Sequence, residues 1–366
     1  MVAPNGDLKT LINFNGTNGQ YPYAGLTLGL DGNFYGTTYS GGVSNVGSVF
    51  QLTTNGVLTT LASFNTANGA YPEADLTLGP DGSFYGSTTS GGIGGRGTLF
   101  KMTTNGNLTT LVNFDLVNGA SPSAALVLEP DGNFYGTTEY AGANGAGTVF
   151  RLTPSGGFTT LCSFSGINGS RPLTTLSVGP DGNLYGTTQE GGGGGAGTLF
   201  RLGLPPDFAT NPTNQGVVIG GSVTFTCQPF GTAPFSYQWL SNGIPIAGAT
   251  NIAFTVPVVS LQTANVQYQV MVSNVWGSNT SSAALVNVVL QPNSFGVARF
   301  VSGGYAVNLG SFPNSTNRLW TSTNLALPMA QWQVIATNIT DSSGLTQFID
   351  TNTPGAVQRF YRLSYP

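Results

Sequence analysis

"LGPDGSFYGSTTSGG" occupies residues 78–92, and the phrase returns as "LEPDGNFYGTTEYAG" at 128–142 and "VGPDGNLYGTTQEGG" at 178–192. An earlier copy, "LGLDGNFYGTTYSGG", begins at Leu28. Each 50-residue unit contains four strand-like runs divided by turn signals. In the second unit these are "ADLTLG", "SFYGSTT", "GTLFKMT" and "LTTLVNF". Asp81-Gly82 joins the first pair and Asn105-Gly106 the last, and both dipeptides favour tight hairpin turns. Four-stranded antiparallel meanders repeating at roughly this period predict propeller blades.

The two ends of the repeat region suggest how such a ring closes. "PNGDLKTLINF" at 4–14 reads as the turn and fourth strand of a unit with no third strand before it, and "GTLFRL" at 197–202 reads as a third strand with no fourth after it. Pairing Leu8–Phe14 with Gly197–Leu202 completes one blade and removes two exposed sheet edges. The expectation is an all-β chain with a four-bladed β-propeller at 1–203, closed one-plus-three. An open stack, or a half-ring completed by a second chain, is the alternative.

Composition narrows the function. Charged residues make up 7% of the chain, against 40% apolar residues, which predicts turn-rich globular structure and argues against disorder. A net charge of −4 and two lysines leave no basic patch for a phosphate backbone, so no nucleic-acid partner is expected. The chain lacks histidine, which removes the commonest general base and metal ligand and disfavours catalysis. No run reaches the ~18 apolar residues of a membrane span. "MVAPNGDLKTL" lacks the apolar core of a signal peptide, which fits a cytoplasmic chain or a mature form of an exported one. Cys162 and Cys227 supply no disulfide framework. Cys162 fills the slot of Ile12, Ala62 and Val112, and reads as a small buried hydrophobe.

In a meander, tight turns and longer loops fall at opposite ends of the sheet. Asp31, Asp81, Asp131 and Asp181 read as turn formers, because one carboxylate per turn falls short of the roughly six to eight oxygens of a calcium site. The recurring Tyr35 and Phe50 slots read as packing between units. "GGGGGAG" at 191–197 lacks the Lys-Ser/Thr ending of a phosphate loop and reads as an ordinary loop. Variation collects on the longer loops: Tyr21, Tyr71, Ser121 and Arg171 share one slot, Tyr39, Thr89, Glu139 and Gln189 a second, Ser40, Ser90, Tyr140 and Glu190 a third. Loops on a rigid scaffold are common binding surfaces. Tyr21, Tyr71, Tyr140, Arg171, Tyr39, Glu139 and Glu190 are therefore the candidate ligand-binding residues, with unconstrained drift as the bland reading. No catalytic residue, metal or cofactor is assigned.

The pattern "GxFYGTTxxGGxxxxGTVFxL…G…LTTLxxF" resembles the GloVer-type tandem repeat of bacterial exported, choice-of-anchor proteins. The resemblance implies a surface or secreted location, favours the exported reading of the N-terminus, and carries no catalytic residue.

"LGLPPDFATNP" at 202–212 reads as a linker. Beyond it, "GGSVTFTCQPFGTAPFSYQWLSNG" and "YQVMVSNVWG" resemble an immunoglobulin-like domain of the I-set kind, over 204–291. Cys227 matches the cysteine of its second strand, Trp239 the core tryptophan and Tyr268 the corner tyrosine. Val270 stands where the second cysteine belongs, so the inter-sheet disulfide is absent. Residues 292–366 carry alternating runs such as "RLWTSTNL" and "QRFYRLSY", and resemble a terminal β-module of exported proteins, with Trp320 and Trp332 expected in its core.

The leading expectation is a non-enzymatic extracellular or cell-surface binding protein that recognises a glycan or surface protein. The second is a self-associating structural subunit of a surface layer or filament. The third is a carbohydrate-active enzyme using carboxylates among Glu73, Asp75, Glu139 and Glu190, although no spacing in the sequence sets the separation that glycosidase chemistry needs.

Overall fold

The repeated phrase folds the same way in each unit. The structure, a computed structural model, describes residues 6, 8–218, 220–259, 263, 266–289, 294–295, 299–301, 304–310, 316–339, 345–350 and 360–364. The first repeat is a meander of β1 (Thr27–Leu28), β2 (Phe34–Thr38), β3 (Ser48–Leu52) and β4 (Leu58–Ser63). The second repeats it with β5 (Thr77–Leu78), β6 (Phe84–Thr88), β7 (Thr98–Met102) and β8 (Leu108–Asn113). The third has β9 (Val127–Leu128), β10 (Phe134–Thr138), β11 (Thr148–Leu152) and β12 (Phe158–Ser163). The fourth stops at three strands, β13 (Ser177–Val178), β14 (Leu184–Thr188) and β15 (Thr198–Leu202). No α-helix occurs among the described residues.

Each letter of the phrase has a structural task. The aspartate shapes the β1–β2 loop: Asp31 Oδ1 accepts from Asn33 N at 3.1 Å and its Oδ2 from the Tyr35 hydroxyl at 2.8 Å. Asp131 and Asp181 do the same with Tyr135 and Tyr185. Hydrogen bonds from Asn33, then Tyr35, lower the Asp31 pKa from its ordinary value. The loop spans 29–33, with Gly29 N donating to Asn33 O, and is wider than the two-residue hairpin expected from Asp-Gly. The glycine after the tyrosine leaves room for a ring, since a Cβ at Gly86 would lie 2.6 Å from Phe100 Cζ. The threonines pair their buried hydroxyls across the sheet, Thr88 with Thr98, Thr138 with Thr148 and Thr188 with Thr198, each at 2.8 Å.

Successive repeats stack through one recurrent junction. Tyr35 lies 4.1 Å from Phe84 between ring centroids, and Tyr85 stands at the same distance from Phe134. Tyr71 N donates to Val46 O, Ser121 N to Arg96 O and Arg171 N to Ala146 O. Thr27 Oγ1 donates to Leu76 O and Thr77 Oγ1 to Leu126 O. Leu76, Leu126 and Leu176 are buried at this seam on one side, and Val49, Leu99 and Val149 on the other.

The expected one-plus-three closure does not form. Residues 8–14 carry no strand, and among the described residues β15 pairs only with β14. Phe14 instead packs on Phe50 at 5.4 Å, as Phe64 does on Phe100. This holds residues 8–14 against the first repeat, and four such steps do not carry β15 back to them. The sheets remain an open series; of the turn at "PNGD", only Gly6 lies among the described residues.

One position departs from the repeat and carries a consequence. Gly29, Gly79 and Gly179 hold a slot that Glu129 fills in the third repeat. Glu129 is 3% exposed, and its Oε1 has no hydrogen-bond partner. Burial, and after it the Asp131 charge, push its pKa from 4.5 up to about 7. Between these values the folded chain keeps a proton that the unfolded chain releases, so this group's contribution to stability falls as pH rises from 4.5 to about 7. Glu129→Gly restores the repeat. It is expected to be more stable than the parent at pH 8, by on the order of 1–2 kcal/mol after the cost of glycine flexibility, and less stable at pH 4.5. Thermal melts across pH check the crossing; parallel curves would contradict it.

The chain divides into two compact units, 1–209 with 229–235 and 273–279, and 210–228 with 236–272 and 280–366. Within the first, Leu204 and Phe230 join the cluster of Leu176 and Leu184, and Ala233 N donates to Asp181 O.

In the second unit, Gln215–Val218 pairs parallel with Ala284–Val289, followed by Gln267–Asn274, Ser236–Ser241 and Ile244–Pro245, while Val223–Thr226 pairs with Ala253–Val256. Trp239 is fully buried, 6.3 Å from Phe225 and 5.9 Å from Phe254, and Phe225 stacks on Tyr268 at 5.1 Å. Cys227 and Val270 are both buried, the place expected for a lost disulfide. Further on, Thr316–Ser322 lies between Gln333–Ile339 and Phe360–Ser364. Trp332 is buried there and Trp320, half-buried, donates its Nε1–H to Ser364 Oγ at 2.7 Å.

Candidate functional site

The longer loops of the four repeats bring one equivalent residue from each unit to a common depression. Tyr23, Glu73, Ser123 and Leu173 share a repeat position, and with Tyr39 and Glu139 they line a hollow of about 500 Å³. The meander explains the convergence, because every repeat presents its β2–β3 loop and its entry segment at the same end.

The entry segments are held in an uncommon conformation. Tyr21, Tyr71, Ser121 and Arg171 have φ values of 56°, 59°, 54° and 60°. Left-handed backbone is unusual for such residues, and here it is fixed by the proline that follows each and by the junction hydrogen bonds of residues 71, 121 and 171. The backbone is constant while the side chain varies.

Four tyrosines form a continuous shelf. Tyr21 stacks on Tyr23 at 6.1 Å, Tyr23 lies 5.2 Å from Tyr39, and Tyr39 stacks on Tyr71 at 4.9 Å. Tyr21 is 54% exposed and Tyr23 65%, so apolar ring surface faces solvent. Burial, then the Glu73 charge, raise the Tyr39 pKa. Glu73 is itself raised, by burial and then by the Glu139 carboxylate.

On the far side of the hollow stands a charged cluster. Arg171 Nε donates to Glu139 Oε1 at 3.0 Å and its Nη1 to Glu190 Oε1 at 2.9 Å, with the guanidinium 5.2 Å from the centre of the Tyr140 ring. Its pKa is raised by the Glu139 hydrogen bond, then by Glu190. The arginine is engaged by two carboxylates, which fixes Glu139 beside the hollow as a hydrogen-bond acceptor.

All seven sequence candidates thus lie in two adjoining groups: Tyr21, Tyr39 and Tyr71 in the shelf, and Glu139, Tyr140, Arg171 and Glu190 in the cluster. Tyr23 and Glu73 link the groups but were not among those candidates. The signal was present, because position 23/73/123/173 varies as widely as the chosen slots. Among the described residues, no cluster of His, Cys, Asp and Glu could hold a metal ion. No helix among them is long and apolar enough to cross a membrane.

Comparison with known proteins places the repeats. The chain's solved likenesses include the titin M10 domain complexed with an obscurin-like domain, 23% identical over 25% of this chain and 99% of that one, with a TM-score of 0.23. The I67–I69 fragment of titin is 19% identical over 44% of this chain and 65% of that chain (TM-score 0.23). Sidekick-1 immunoglobulin domains 1–5 are 18% identical over 36% and 31% (TM-score 0.22). No curated protein matches the chain, and no catalytic family is indicated. The Gloeobacter/Verrucomicrobia repeat model matches residues 1–128 and 76–211. Those spans cover every copy of the phrase that shapes the shelf and the hollow, and the chain belongs to the Gloeobacter/Verrucomicrobia repeat family.

Proposed function

We propose that this chain is a non-enzymatic, secreted or surface-displayed binding protein whose repeat loops recognise a glycan. The observation that carries the reading is the exposed tyrosine shelf beside a hollow bordered by Glu73 and Glu139. Sugar rings stack their C–H faces on aromatic rings, and carboxylates accept hydrogen bonds from sugar hydroxyls. A phosphorylated or acidic ligand suits the site less, because its one cation, Arg171, is already paired with two glutamates. A surface or secreted setting is supported by the exported character that the repeat resemblance implies.

The test is a binding screen of the full chain against immobilised neutral oligosaccharides. Tyr39 lies between Tyr23 and Tyr71, so Tyr39→Ala opens the shelf at its middle. It is expected to weaken binding about 30-fold, the size of a strong contact. Asn55→Ala with Asn105→Ala, at the opposite end of the sheets, is expected to leave affinity unchanged. Equal affinity for Tyr39→Ala and the parent would remove the basis for placing the site here.

A further inference from the structure

The two ends of the repeat series carry the unmatched halves of its own junction. On the inner seams Leu76, Leu126 and Leu176 are 3%, 4% and 3% exposed, whereas Leu26, the same slot in the first repeat, is 52% exposed. Val49, Leu99 and Val149 are 0%, 0% and 1% exposed, whereas Leu199 in the fourth repeat is 77% exposed. The polar half of the junction is divided in the same way. Val46, Arg96 and Ala146 offer a carbonyl to Tyr71, Ser121 and Arg171; Ala196 occupies the offering slot and Tyr21 the receiving one, with no such bond made between them. Pro72, Pro122 and Pro172 close on Gly47, Gly97 and Gly147, and Pro22 and Gly197 hold those two positions.

Strand pairing is divided too. In the first three repeats the third strand is flanked by a fourth, with Val49 opposite Ala62, Phe50 opposite Thr60 and Leu52 opposite Leu58. β15 has no fourth strand beside it, and residues 8–14, which match "VLTTLAS" in sequence position, have no third.

We infer that a second copy of this chain completes the fourth sheet in trans. Residues 8–12 of one copy pair with β15 of the other, placing Leu8 opposite Leu202, Thr10 opposite Phe200 and Ile12 opposite Leu199. Leu26 then covers Leu199, and Tyr21 N donates to Ala196 O. The Phe14–Phe50 contact already holds residues 8–14 where a preceding fourth strand would lie. Leu204 and residues 229–235 pack on the fourth repeat at its tight-turn end, so the contact uses the loop end, where Ala196, Gly197 and Leu199 lie. Two such contacts formed at once give a closed ring of eight repeats. Lys9 falls opposite Arg201 in this register, where units one to three carry Thr59, Thr109 and Thr159; like charges there weaken the pairing.

The test is the mass of the full chain in sedimentation velocity, together with the Ile12→Cys, Leu199→Cys double variant under oxidation. The expected results are a species of twice the 37.7 kDa chain mass and a reducible covalent dimer absent from the parent. Lys9→Thr is expected to tighten association about threefold or more, and Leu199→Arg to disperse it while leaving the melting temperature of the monomer unchanged, since Leu199 is exposed. A larger assembly that Leu199→Arg also disperses supports the same face in an open path. A monomer at every concentration, an internal disulfide running at monomer mass, or a dimer indifferent to Leu199→Arg overturns the proposal.

Discussion

Phe100→Ala is expected to lower stability by about 3–5 kcal/mol, the cost of removing a fully buried phenyl from a core that cannot collapse into the space. Phe100 is 0% exposed, packs edge-on against Phe64 of the preceding repeat at 5.1 Å, and covers the strand glycine Gly86. Its equivalent Phe200 receives Phe164 at 5.0 Å but is only half-buried, so Phe200→Ala is expected to cost clearly less. Urea unfolding of the two variants under one set of conditions checks the difference. Equal losses would show that the inner seams and the open end are equally packed, against the account of the junction given above.

A second large effect is expected from Val270→Cys. Val270 and Cys227 are buried, two residues beyond Tyr268 and Phe225, whose rings stack across the layers. Oxidation of the variant should close a disulfide and raise stability by roughly 2–4 kcal/mol. Thiol counting gives the chemistry and a thermal melt the energy. Two free thiols in a folded, oxidised protein would mean that the two strands are offset from the assigned alignment. Burial raises the Cys227 pKa, so oxidation is best run at alkaline pH.

The repeats were legible because their constraints are local. Asp31, Tyr35, Gly36 and Thr38 each meet a partner within the same unit or at one repeat's distance, so the phrase records its own contacts. The closure was not legible. Pairing "GTLFRL" with "GDLKTLINF" follows from strand chemistry, but whether the two meet in one chain depends on the rotation accumulated over three seams, and no residue encodes that sum. The first strands were overread for a similar reason: "ADLTLG" has six extended-looking residues, yet only Thr77–Leu78 pair, because the wide loop begins at Gly79.

The candidate site was half legible. Tyr21, Tyr39, Tyr71, Glu139, Tyr140, Arg171 and Glu190 drew notice as variable slots in an otherwise constant frame. That Arg171 would be held by Glu139 and Glu190, and so withdrawn from ligand binding, required the geometry. Glu73 looked like one of four scattered carboxylates; its place beside Glu139 at the hollow emerged only when all four repeats stood together.

The most direct test of the central claim is a crystal structure of the full chain with the oligosaccharide that binds best in the screen. The account predicts a sugar ring stacked on Tyr39 or Tyr23, with hydroxyls donating to Glu73 or Glu139. A sugar seated elsewhere, for example on the exposed Trp276, with the tyrosine shelf empty, would contradict it.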